Sequence, residues 1–279
     1  MKEKNLAVNF ILFVILLLTA FVFIIPFLWT FLTSLKTNDE IYAATLTILP
    51  TKVTFDHYIK VITQMGDFLK YFRNSVVVSL WSVLATVVFS ASMGYAFSKM
   101  NFKFKNFYLG FVLFILTLPY VIYLIPIYIM ESKMDLIDTS WGLILPYIAT
   151  NLPMSVFIMR GQFNNVPNTL GEAATIDGCN NWQVFSKIML PVVKPGIATV
   201  IIFTFINVWG EFTYGRTLTA TSKAQTLPVG ITFLRDEAAS WQYGTLTATI
   251  ILSLIPLLII FLSMQKYFIS GIMEGALKG

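Results

Sequence analysis

The sequence predicts an all-α integral membrane protein with six transmembrane helices, and three observations carry that prediction. Apolar runs of the length needed to cross a bilayer recur six times along the chain. Charged residues make up 12% of it, against roughly 25% in soluble domains. The charges cluster between the apolar runs instead of being spread along every helix, and the mean hydropathy is +0.75.

The first run, 9–34, follows a basic start, MKEK, as a signal peptide would. Its apolar part far exceeds the roughly 7–15 residues of a signal h-region and lacks a small-residue cleavage site, so a retained first span is expected. The remaining spans are expected at 75–98, 107–130, 140–159, 196–215 and 244–265, the fifth carrying Glu211 near its end with Arg216 just beyond. Together they form one transmembrane domain over 1–279. Pro26, Pro119, Pro126, Pro146, Pro153 and Pro256 fall within spans, which membrane helices tolerate when neighbours satisfy the freed carbonyls. In the loop before the second span, 55–62 and 68–75 mix apolar and basic residues as a short interfacial helix does, packing on the outer end of the bundle.

An even number of crossings puts both termini on one side. Lys99, Lys103 and Lys105 crowd one short connection, whereas 131–138 carries Lys133 among three acids, so the positive-inside rule places 99–106 and both termini in the cytoplasm. Over the whole chain the count is nearly even, ten Lys and Arg inside and nine outside, and the short loops decide. The net charge of +5 comes from dispersed bases and matches no nucleic-acid-binding pattern.

Other classes are excluded by what the chain lacks. With Cys179 as its sole cysteine and His57 as its sole histidine, no disulfide framework or zinc site can be assembled. Cys179 reads as a small residue after a turn, and His57 as a solvated residue of a polar loop. No Asp, Glu, Lys, Arg or His lies in the interior of any span, which argues against a proton-driven carrier and against an intramembrane aspartyl protease. No Gly-x-Ser-x-Gly, His-Glu-x-x-His or phosphate-loop pattern occurs, so the chain is not expected to be an enzyme or to bind ATP.

One stretch between spans four and five does not belong in lipid: GEAATIDGCNNWQVFSKIMLP, 171–191. Thr169 and Glu172 have capping-box spacing, so a helix is expected to begin there and continue through Ala173, Ala174 and Ile176. Asp177-Gly178 supplies a turn at which glycine accepts a positive φ. Asn180 and Gln183 offer a second, weaker cap, and Trp182, Phe185 and Met189 then fall on one helical face until Pro191 limits the helix. A lipid-bound helix would carry bases on its polar face; this one sets Glu172 and Asp177 against Lys187, which fits a protein-docking element better. A connector packed beneath its own spans is the competing reading.

The string Glu172-Ala173-Ala174, three residues, Gly178, nine residues, Ile188, one residue, Leu190-Pro191 resembles the EAA motif of permease subunits in binding-protein-dependent ABC importers. Further likenesses are Pro195, Trp209-Gly210-Glu211-Phe212, 226–230, the run from Tyr267 to Gly279, 34–37 and 71–75, which resemble the shorter six-span subunit of maltose-type carbohydrate systems. Gly210 stands where that family often has Asn, and Cys179 where Ala is usual.

The resemblance implies a coupling helix within 169–190, seated in a cleft of a cytoplasmic ATPase. Glu172 would contact a basic residue there, Ala173 and Ala174 would permit close approach, Gly178 would set the elbow beside Asp177, and Trp182, Phe185, Ile188, Leu190 and Pro191 would complete the element. It also implies a second permease subunit as heterodimer partner, two ATPase subunits holding ATP and magnesium, and an extracytoplasmic sugar-binding protein. The setting would be a bacterial cytoplasmic (inner) membrane, with no cofactor on this chain itself. In that family the loop before the last span, here 215–243, enters the binding protein, and the tail, 271–279, reaches the ATPase. Ser82, Thr86, Asn207 and Trp209 are candidates for a substrate path, with Ser79 and Ser90 beside them; as a rule such residues serve only helix packing. A sodium-coupled carrier and a non-transport membrane anchor remain the alternatives.

Overall fold

The computed structural model describes residues 6–233 and 243–276, and among them every regular element is helical. In chain order these are α1 (Leu6–Ser34), α2 (Asn38–Ile41), α3 (Asp56–Thr63), α4 (Phe68–Lys99), α5 (Lys105–Ile115), a 3-10 turn (Tyr120–Tyr123) and α6 (Leu124–Lys133). There follow α7 (Ser140–Asn165), α8 (Asn168–Ile176), α9 (Asn181–Gln183), a π-helical stretch (Val184–Met189), α10 (Leu190–Val192) and α11 (Lys194–Trp209). The chain closes with α12 (Thr213–Leu218), α13 (Leu227–Phe233) and α14 (Tyr243–Ala276).

Four helices, α1, α4, α7 and α14, are each long and apolar enough to cross a membrane. Two bent pairs, Lys105–Ile115 with Tyr120–Lys133 and Asn181–Val192 with Lys194–Trp209, turn by 95° and 75°, so the crossings number four, or six if each pair is one span. The expected third span is thus a broken helix: α5 ends before Pro119, which lacks an N–H and takes an extended ψ of 126°. The fifth span is shorter than expected, since α11 stops at Trp209 and residues 213–215 open α12. In the second, 68–75 are not an interfacial helix but the first turns of α4; the separate short helix is α3.

The described backbone falls into two compact units, 6–68 with 231–233 and 243–255, and 69–230 with 256–276. In the first, α1 leaves Phe10, Leu16, Phe21 and Phe27 exposed and buries no part of its apolar window, as a helix solvated by lipid does. The loop after it is stapled by Glu40, which accepts from Thr47 Oγ1 at 2.7 Å and from the Thr51 N–H at 3.0 Å. His57, expected in solvent, is instead buried on α3. Its Nε2 lies 2.9 Å from the Lys36 carbonyl, which only accepts, so Nε2 carries the proton. Nδ1 faces Thr245 Oγ1 at 3.4 Å, and burial pushes the imidazole pKa below its usual value. Gly244 makes the burial possible: a Cβ there would lie 2.1 Å from His57 Nε2.

The second unit is held by apolar packing between α4, α7 and α11. Gly94 lets the α4 backbone meet α7, since a Cβ at that position would sit 2.6 Å from Met159 Cβ. Thr139 caps α7 by accepting from the Gly142 N–H at 3.1 Å. After α12 the chain is tied down twice. Asp138 accepts from the N–H groups of Ala220 and Thr221, both at 2.9 Å, and Asn74 Nδ2 donates to the carbonyls of Ser222, Lys223 and Gln225.

Candidate functional site

The motif segment folds as a bracket on the ends of α7 and α11. Val166 and Pro167 end α7, and α8 begins at Asn168 with Pro167 at the N-cap and no side-chain cap. The capping box expected of Thr169 and Glu172 is therefore not formed: Thr169 lies inside the helix, where its backbone cannot take the extended N-cap shape. The box forms instead at Asn180, whose side chain accepts from the Gln183 N–H at 2.9 Å while Gln183 Oε1 accepts from the Asn180 N–H at 2.9 Å. Between the two helices Gly178 takes φ +87°, and the N–H groups of Asp177, Gly178 and Cys179 close onto the carbonyls of Ala173, Thr175 and Ala174.

One face of this bracket is clamped to the spans. Ala174, Val184, Phe185 and Met189 are buried with Ala91 of α4, Met159 and Phe163 of α7 and Val200 of α11 in one apolar cluster. Phe185 packs its ring 5.0 Å from Tyr95 and 6.4 Å from Phe163. Lys99, at the end of α4, donates to the Val166 carbonyl at 2.5 Å and to Asn168 Oδ1 at 2.7 Å. The other face is open: Glu172, Ala173, Asp177 and Pro191 are exposed, Ile176 is 86% exposed and Trp182 is 69% exposed. Ile188 and Leu190 are half-buried against the cluster. The apolar face expected of Trp182, Phe185 and Met189 is graded in depth: Phe185 and Met189 are buried, while Trp182 packs its ring 5.6 Å from Phe185 at the open edge and stays 69% exposed. Pro191 does not end the helix; it lies within α10, and the 75° bend follows it.

At the opposite end of α7 and α11 a second feature opens, a polar pocket of about 490 Å³. Asn151 and Phe163 are twelve residues apart on α7, so about 18 Å of helix separates the pocket from the apolar cluster. The wall is built around Glu211. Its Oε2 accepts from the Tyr147 hydroxyl at 2.6 Å and the Gly215 N–H at 3.0 Å, and its Oε1 from the Tyr214 N–H at 2.8 Å. Asn207 donates to Asn151 Oδ1 at 3.0 Å, and Asn151 donates to the Tyr147 carbonyl at 2.8 Å. Tyr214 stacks on Tyr120 with centroids 6.0 Å apart and donates to the Tyr120 carbonyl at 2.9 Å.

Of the four substrate-path candidates, only Asn207 lines this pocket. Trp209 is buried, stacked 5.4 Å from Phe205 and edge-on to Phe72 at 5.8 Å. Ser82 and Thr86 are wholly buried on α4, their hydroxyls without a hydrogen-bond partner. Tyr120, Tyr147, Asn151 and Phe212 were missed. The i, i+4 placing of Tyr147 and Asn151 on α7 was the readable signal for two of them. The loop 215–243 is described only as far as 233 and at 243, and 277–279 lie outside the described residues.

Residues 86–274 match the family described as "Binding-protein-dependent transport system inner membrane component". The chain is 35% identical over 255 residues to a "Putative ABC transporter permease protein ORF2" of Caldicellulosiruptor sp., covering 91% of this chain and 92% of that one. It is 33% identical to the "Arabinooligosaccharides transport system permease protein AraQ" of Halalkalibacterium halodurans, covering 93% of each. Among solved structures it superposes at TM-score 0.81 and 20% identity on a chain of a bacterial ABC transporter involved in the import of the acidic polysaccharide alginate, covering 96% and 99% of the two chains. The chain belongs to the family of inner membrane components of binding-protein-dependent transport systems, and it is a multi-pass permease subunit of an ABC transporter.

Proposed function

We propose that this permease imports a saccharide, and that the bracket 168–192 couples its spans to ATP hydrolysis on a separate subunit. Saccharide cargo is supported by the arabinooligosaccharide relative. The observation that carries the coupling role is the division of the bracket into two faces. Ala174, Phe185 and Met189 weld it to α4, α7 and α11, while Glu172, Ala173, Ile176 and Trp182 stay open beside them. A partner gripping the open face would move the spans with it, because a packed apolar core transmits displacement instead of absorbing it.

On this reading 1–279 is one permease domain in a bacterial cytoplasmic membrane, with both termini and the bracket in the cytoplasm. It works with a second permease subunit, two ATPase subunits that hold ATP and magnesium, and an extracytoplasmic binding protein. Ala174 takes no part in the contact with the ATPase, since it faces the spans; Ala173 is the residue that lets the partner approach.

The test is Glu172→Lys in the complete transporter reconstituted in vesicles. Membrane insertion and assembly of the permease pair are expected to survive, while ATP-dependent saccharide uptake and binding-protein-stimulated hydrolysis fall at least tenfold. Unchanged coupling in this variant would overturn the proposal.

A further inference from the structure

The pocket lies at the end of α7 and α11 remote from the bracket, and its lining is unlike that of a packing defect. Asn207 is exposed, and Glu211 and Thr213 are half-buried, in a region of apolar helices where a polar wall turned toward hydrocarbon is costly. Such a wall faces water, protein or a ligand.

Its composition selects among ligands. We propose that this pocket holds a neutral saccharide and that its carboxylate turns anionic sugars away; the inference rests on the import reading. Two aromatic rings, Tyr120 at 49% and Phe212 at 43% exposure, are open enough to lie against the apolar face of a sugar ring, whereas Tyr147 and Tyr214 are buried and serve as wall. Asn207 spends one amide hydrogen on Asn151; its other hydrogen and its carbonyl oxygen form the donor and acceptor pair that vicinal hydroxyls match. Glu211 is locked by three donors, and Oε1, which receives only the Tyr214 N–H, retains a lone pair for a sugar hydroxyl. Among the described residues the lining contains no Lys, Arg or His. A uronate or sulfonate placed here would face Glu211 with no base among the described lining residues to compensate its charge, while a neutral saccharide meets hydrogen-bonding groups and aromatic faces.

The volume of about 490 Å³ falls in the usual range of small-molecule sites and suits a fragment of an oligosaccharide. The pocket therefore filters cargo by charge, within this subunit, after any selection by a binding protein.

The experiment is calorimetric titration of the assembled transporter, without binding protein, against arabinotriose, galactotriose, maltotriose and a mannuronate trimer. At least one neutral trisaccharide is expected to bind, and the mannuronate trimer at least tenfold more weakly. Asn207→Ala is expected to weaken the neutral ligand at least tenfold, and Phe212→Ala similarly. Ile206→Ala, on the same helix but outside the pocket, retains wild-type affinity. Binding unaffected by both pocket variants, equal binding of the mannuronate trimer, or no binding of any neutral trisaccharide would each overturn the proposal. ATP-dependent uptake of the same four sugars by vesicles carrying the complete system reads the import function separately. Uptake with unaltered pocket variants removes the filter and leaves the importer standing.

Discussion

At Asn180 a single side chain decides where a helix starts. Its capping box with Gln183 satisfies two N–H groups that the short α9 would otherwise leave open, and a residue of this kind contributes about 1 kcal/mol. Asn180→Ala is expected to lower the unfolding temperature of the purified chain by a few degrees, as followed by circular dichroism. Thr169→Ala, which removes no cap, is expected to leave it unchanged. By spacing alone the two sites look alike. What separates them is Pro167, whose fixed φ starts α8 before Thr169 can occupy the N-cap. Gly178 was legible for the opposite reason: a φ of +87° is open to few residues other than glycine, so the type of residue itself announces the turn. His57 was not legible, because its burial depends on Gly244, a residue 187 positions away in the chain.

The bracket as an element has two faces that respond differently to truncation. Phe185→Ala opens a cavity between α4, α7 and the π-helical stretch, and removal of a buried phenylalanine costs about 3–5 kcal/mol. Its expected outcome is a marked loss of thermal stability in detergent. Trp182→Ala, at a residue 69% exposed whose ring meets only the edge of the cluster at Phe185, is expected to lower stability far less than Phe185→Ala and to weaken retention of the ATPase subunits in a pull-down from membranes. Equal effects on both readouts would contradict the division of faces. A period of 3.6 placed Trp182 beside Phe185, and the two rings do meet at 5.6 Å; the π-helical turn that follows, with its i to i+5 bonding, cannot be read from a sequence that could equally well form an α-helix. The broken third span was hidden in the same way. Pro119 marks a discontinuity, but a shallow kink and a turn of 95° share one composition.

For the molecule as a whole, the six apolar runs and the polar stretch between the fourth and fifth were legible because lipid imposes length and composition on every crossing. The pocket was not, since its wall is assembled from Tyr120, Asn151, Asn207 and Glu211, which lie far apart in the chain. Sidedness is open to direct measurement. Ile176, 86% exposed, replaced by cysteine in a Cys179→Ala background, is expected to react with a membrane-impermeant maleimide in inside-out vesicles and to be protected in right-side-out ones. Labelling from the outer side would reverse the topology.

The Tyr147 hydroxyl and Glu211 Oε2 stand 2.6 Å apart, joining α7 to the segment that leaves α11. One helical turn of sliding between α7 and α11 would be about 5.4 Å, more than any hydrogen bond survives. The pair therefore behaves as a shear pin: while it is intact the two helices travel as one rod, and a stroke that displaces one along the other must first snap this link and leave a tyrosine and a carboxylate seeking new partners.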